Sequence, residues 1–226
     1  MHEFVRLPSC RMGLTTREWG DGGKLAVLLH GMADDSTTWK RFGGTLTALG
    51  YRVLAPDLPG HGSSPAIRNS SAEEFVAAVL DVLPREPDLA LGHSLGGMVL
   101  SLAAADLRPA CAVYSETMFR PPPCGDIPVS ELAGILAASV YPVGETGRWD
   151  PGTTAAFLRD IGGTDLTPDP ATPSLVQYAE SGAAVSASEV ARLRAGGFVA
   201  RAVPGADHAP HVNAYDEFLA SLDGWI

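Results

Sequence analysis

The stretch Asp88-Leu89-Ala90-Leu91-Gly92-His93-Ser94-Leu95-Gly96-Gly97, continuing from Met98 to Leu107, runs a short apolar segment through a glycine-flanked serine into a longer apolar one. The first part has the length of a strand buried on both faces, and the second the length of a helix. Gly92 and Gly96 lack a Cβ, so strand and helix can approach closely, and the serine between them must take a strained backbone. Its hydroxyl would then stand at the carboxyl end of a sheet, where a helix N-terminus favours negative charge on a nearby oxygen. A glycine-rich turn without chemistry could carry the same letters. The strand before and the helix after single out Ser94 as a nucleophile.

Working outward, short apolar runs alternate with amphipathic helical patterns, the mark of repeated βα units and a largely parallel sheet. Lys24–His30, Tyr51–Asp57, Asp88–Ser94, Ala110–Glu116, Ser174–Ser181 and Phe198–Pro204 read as strands. Phe4–Trp19 alternates weakly and suits an antiparallel hairpin at the sheet edge. Trp39, Phe42, Leu46 and Leu49 outline one helical face, closed by Gly50. Ser71 with Glu74 forms a capping box before a second helix, and Ser186 with Glu189 repeats the device. Tyr215, Phe218, Leu219 and Leu222 mark a last helix.

Residues 118–173 break the rhythm, holding nine of the 18 prolines and only two short helical stretches, Ser130–Ala138 and Thr153–Asp160. A structureless loop of that length is uncommon in one domain, so the segment reads as a small cap or lid. Its aromatic residues Phe119, Tyr141, Trp149 and Phe157 are read chiefly as its own core rather than as pocket walls.

The chain has 226 residues, 46% apolar and 19% charged, which suits a single globular domain. A formal charge of −10 without a basic cluster argues against nucleic acid as a partner. Apolar runs such as Leu25–Leu29 fall far short of the roughly 20 residues of a membrane helix, so no membrane partner is expected. Met1–Arg6 lacks the features of a signal peptide, and Cys10, Cys111 and Cys124 cannot all pair, so a cytoplasmic location is expected. Neither metal-ligand spacing nor a phosphate-binding glycine motif is present, and the chemistry is read as needing no cofactor and no metal.

Three motifs together give a resemblance. Leu28-Leu29-His30-Gly31-Met32, Asp57-Leu58-Pro59-Gly60-His61-Gly62-Ser63 and Gly92-His93-Ser94-Leu95-Gly96-Gly97 are similar, in order and spacing, to motifs of the α/β-hydrolase superfamily. The resemblance covers nearly the whole chain. It implies an α/β-hydrolase fold, a mostly parallel central sheet flanked by helices, with the cap inserted after the sixth strand. It also implies an oxyanion hole from the backbone N–H groups of Met32 and Leu95, with His30 and His61 in structural roles.

Val203-Pro204-Gly205-Ala206-Asp207-His208 is similar to the family's run bearing the general base, which makes His208 the base and His211 the competitor. A serine hydroxyl needs such a neighbour to take its proton. The third member departs from the common pattern: alignment places Gly182 where the family usually has an aspartate after the seventh strand. Glu116, at the end of the preceding strand, is the favoured acid, because adjacent strands lie about 4.8 Å apart and ligand sites form at their carboxyl ends. Glu180 is the alternative acid. Asp207 is disfavoured because it directly precedes the histidine.

The reading is a serine hydrolase acting on a small or medium acyl ester, thioester or lactone, with a small-molecule acyl substrate as its partner. Two other classes fit the fold. One is a lyase or acyl-transfer enzyme with the same base, and the other is a catalytically silent ligand-binding homologue, which the displaced acid would suit.

Overall fold

The computed structural model describes residues 13–180 and 184–226. Seven strands make up the sheet: β1 (Thr16–Trp19), β2 (Lys24–Leu29), β3 (Tyr51–Pro56), β4 (Leu89–His93), β5 (Cys111–Ser115), β6 (Ser174–Ala179) and β7 (Val199–Val203). Their spatial order is β1-β3-β2-β4-β5-β6-β7. Edge strand β1 is antiparallel to β3, and every other pairing is parallel. The six strands read from periodicity are all present, shortened by one or two residues at their ends. Of the expected hairpin, β1 is the described part, and residues 4–12 lie outside the described residues. The strand counted sixth from sequence is therefore β5.

Burial on both faces explains why the strands read as unbroken apolar runs. In β2, Val27 and Leu29 enter one core while Ala26 and Leu28 enter the other. The first core is closed by α2 (Ala72–Asp81), α3 (Leu95–Leu107) and α6 (Ala187–Ala195), through residues such as Phe75, Val99 and Leu193. The second is closed by α1 (Lys40–Ala48) and α8 (Tyr215–Ser221), where Phe42 and Phe218 meet edge to face at 5.0 Å.

Two helix expectations need correction. Leu49 does not share the buried face of Trp39, Phe42 and Leu46; it is the C-cap of α1, has left helical geometry, and is 48% exposed. The box at Ser71 forms in both directions, but at Ser186 only half of it forms. Ser186 accepts the Glu189 N–H, while the Glu189 carboxylate turns away to Arg120 and Arg192. Arg120 lies far off in sequence, so a local pattern could not reveal the competition.

The 118–173 segment carries α4 (Val129–Ser139) and α5 (Pro151–Ile161). Helix α5 roots it: Phe157 and Ile161 join the first core, with the Phe157 ring 4.6 Å from Phe75. An arm beside it is laced to the loops after β2 and β3, by Val143 N–H to Ala33 O at 2.8 Å and Asp150 N–H to Gly60 O at 2.7 Å. In contrast, α4 buries none of its residues despite its apolar sequence. The aromatic residues do not form a private core: Phe119 and Phe157 belong to the main one, and Tyr141 is 77% exposed. Among the described residues, no helix is long and apolar enough to cross a membrane.

A tight junction lies where β4 meets α3. A Cβ on Gly92 would fall 2.5 Å from Gly96 O, and one on Gly96 would press on the carbonyls of Leu29 and His30. Gly44, within α1, faces open space. Gly96→Ala is therefore expected to lower stability by about 1–3 kcal/mol as an overpacking change. Gly44→Ala should instead raise it by about 0.4–1 kcal/mol. Urea unfolding of both variants checks the pair, and equal effects would show that the junction is looser than described.

Candidate active site

Ser94 stands between the last residue of β4 and the first of α3 with φ +51° and ψ −115°, outside the regions comfortable for a residue with a side chain. That conformation follows from the junction: the chain must reverse within one residue while the glycines on either side allow strand and helix to touch. The serine is half-buried and opens onto a cavity.

His208 comes from the loop between β7 and α7 (Pro210–Asn213). Its Nε2 lies 2.9 Å from Ser94 Oγ, and its Nδ1 lies 3.4 Å from Glu116 Oε2. Glu116 follows β5 directly, is fully buried, and has φ +46°. Its backbone N–H donates to Gln177 O at 2.9 Å, and its Oε1 accepts the Ala179 N–H at 2.8 Å. The end of β6 thus holds the carboxylate in place. With Nδ1–H directed to this carboxylate, Nε2 presents its lone pair to the serine hydroxyl.

The other sequence candidates stand apart. Glu180 is exposed and does not line the cavity, and Gly182 lies outside the described residues. Asp207 is exposed, and its carboxylate accepts the Ala209 N–H at 2.9 Å, closing the loop beside the base. His211 is buried with its Nε2 2.9 Å from Thr38 Oγ1 and its ring stacked on Trp39 at 4.3 Å. Met32 and Leu95 line the same cavity as Ser94.

His93 was not singled out by sequence reasoning, because a histidine inside a buried strand reads as core. Its Nε2–H donates to the carbonyl of His208 at 2.6 Å, tying the strand that ends at the serine to the loop that carries the imidazole. Burial, the largest cause, pushes its pKa down to about 4. His61, fully buried with Nδ1–H on Pro59 O at 2.9 Å, is pushed down to about 3 by the same cause. His30 donates from Nδ1 to Gly31 O and accepts the Leu58 N–H at Nε2, which joins the loops after β2 and β3. Burial lowers the pKa of His30 and His211 also.

The cavity has a volume of about 470 Å³. Met118, Pro121, Cys124, Leu132 and Leu158 of the 118–173 segment form much of its wall. Leu132 and Leu158 fall in the two helical stretches read from the sequence, but no pattern there marked them, or Met118, Pro121 and Cys124, as cavity wall. Among the described residues, no group of three or more His, Cys, Asp or Glu side chains is arranged to hold a metal ion.

A match to the alpha/beta hydrolase family covers residues 26–221, and the chain belongs to that family. The pimeloyl-[acyl-carrier protein] methyl ester esterase of Methylococcus capsulatus is 42% identical over 107 residues, which is 47% of this chain and 40% of that protein. A 2-hydroxy-6-oxononadienedioate/2-hydroxy-6-oxononatrienedioate hydrolase of Klebsiella pneumoniae is 37% identical over 86 residues, 34% of this chain and 30% of that protein. The chain thus spans less than half the length of these relatives. The crystal structure of an enol-lactonase from Burkholderia xenovorans LB400 superposes with a TM-score of 0.75 at 21% identity, covering 94% of this chain and 95% of that one. At this identity the likeness is one of fold.

The buried imidazoles set a pH dependence of stability. His30, His61, His93 and His211 stay neutral in the fold, whereas the unfolded chain binds protons on them as pH falls through about 6.5. Their contribution is complete above that pH and is lost as pH falls, for His93 and His61 toward folded values of about 4 and 3. Each adds a slope of about 1.4 kcal/mol per pH unit below the unfolded pKa. The urea midpoint should therefore drop between pH 7.5 and 5.5, above the range where most carboxylates titrate, and drop less in His61→Gln. A midpoint unchanged over that interval would contradict neutral burial.

Proposed function

We propose that the chain is a serine hydrolase that cleaves a small or medium acyl ester, thioester or lactone through an acyl-enzyme on Ser94. The observation that carries this reading is the continuous line from Ser94 Oγ through the His208 ring to the buried Glu116 carboxylate. A serine held at positive φ beside an imidazole at 2.9 Å has no evident value to the fold itself.

In this mechanism His208 Nε2 takes the hydroxyl proton as Ser94 Oγ attacks the carbonyl carbon, and Glu116 steadies the imidazolium that forms. The tetrahedral oxyanion is received by the N–H groups of Met32 and Leu95. Leu95 supports this assignment as the first residue of α3, whose N–H has no carbonyl partner within the helix. His208 then returns the proton to the leaving oxygen or sulfur, and the acyl-enzyme remains. Water, deprotonated by the same imidazole, attacks the ester and releases the acid and the free serine. Residues 118–173 act as a cap on a single domain, since they wall the cavity around the serine. The names of two relatives point to different substrates, a methyl ester and a dioate.

Fluorophosphonate is expected to add a single mass adduct to the wild-type protein and none to Ser94→Ala. Steady-state ester assays should show losses of about 10⁴ to 10⁶ in kcat for Ser94→Ala and His208→Ala. Glu116→Gln should cost about 10² to 10⁴, and Glu180→Gln less than about twofold. Equal activity of the two glutamine variants would overturn the choice of acid. Activity lost in His211→Ala but retained in His208→Ala would overturn the choice of base. No adduct in the folded wild type would count against the whole reading.

A further inference from the structure

We infer that the cavity at Ser94 takes an uncharged aliphatic acyl chain and rejects one that ends in a carboxylate; this rests on the hydrolase reading and names its substrate class. Beyond the reacting groups, its walls are thioether, aliphatic and proline surface, notably Met32, Met98, Met118, Leu132 and Leu158. Among the described residues, the polar side chains lining it are Ser94, Glu116 and His208, with the thiol of Cys124, which points to Leu158 O at 3.7 Å. Among the described residues, neither lysine nor arginine lines it.

Arg120, close to this wall in sequence, lines a neighbouring cavity, where its guanidinium meets Glu189 at 2.5 Å. Glu189 also holds Arg192 at 2.5 Å, so these two arginines are already engaged with its carboxylate. An anionic chain end entering the Ser94 cavity would lose its water, meet no lysine or arginine among the described residues, and lie in a space that already holds Glu116. An aliphatic chain loses nothing there and removes apolar surface from water. The three methionines can repack around chains of different length, so the wall selects against charge more sharply than it selects for length.

Orientation follows from His208. Its side chain is 53% exposed, so the leaving group that receives its proton departs toward solvent. The acyl part is left with the apolar walls.

The test compares p-nitrophenyl hexanoate with the p-nitrophenyl monoester of adipic acid, which share a leaving group and an acyl length but differ in the terminal carboxylate. The expected kcat/KM ratio is at least about 100-fold in favour of the hexanoate. Leu132→Arg places a cation on the cavity wall from a helix that buries none of its residues, and should narrow that ratio at least about tenfold. A ratio near one, a preference for the adipate, or a ratio unmoved by Leu132→Arg would overturn the inference. Calorimetric titration of Ser94→Ala with methyl hexanoate and with monomethyl adipate separates binding from turnover. If the wild type cleaves neither ester, the hydrolase reading fails, and binding of the hexanoate alone still supports the apolar site. Equal binding of both, or binding of neither, overturns it.

Discussion

The contact on which the rest depends is the meeting of β4 with the start of α3. Backbone lies against backbone at Gly92 and Gly96, and the carbonyls at the end of β2 press on the same spot. With no room for a side chain on either glycine, the turn between strand and helix shrinks to Ser94, which absorbs the whole reversal at φ +51°. Strain of this kind persists only where surrounding packing over-determines it. Here both sheet faces supply that packing, since β4 lies near the centre of the strand order and is buried along its length.

Once the serine is fixed, the other two groups are placed by parallel strands ending at the same sheet edge. Glu116 leaves β5, the direct neighbour of β4, also in a left-handed conformation. The end of β6, where the family's common pattern would put an acid, instead contributes backbone: Ala179 N–H holds one carboxylate oxygen and leaves the other toward His208. The Glu116 carboxylate, one strand away from Ser94, is thus anchored on its far side by β6. His93 completes the arrangement, because its hydrogen bond to the His208 carbonyl couples the His208 loop to the strand that ends at Ser94.

What could be read from the sequence, and what could not, divides along the range of the interactions. The strands were legible because burial on two faces leaves unbroken apolar runs, and the place of Glu116 at the sheet's carboxyl edge was legible because a strand ends there. Leu49 misled because the face it would share ends with the helix itself. Glu189 misled because its carboxylate finds arginines on two elements rather than its own N-cap. The cavity walls were illegible for a different reason. Residues 118–173 are shaped by prolines and by tethers to distant loops, and neither leaves a period in the sequence.

That last distinction bears on how the two halves of the site are held. The reacting line rests on the sheet and its two cores, so disturbing it means disturbing the most buried part of the molecule. The wall rests on α5, which is rooted in the first core, and on α4, which lies beside it and buries nothing of its own. A substitution on the inner side of α4 removes little packing from the fold, yet it changes the surface that a bound chain meets. The Ser94–His208–Glu116 line and the α4 part of the cavity wall thus rest on different parts of the fold, although they border one cavity.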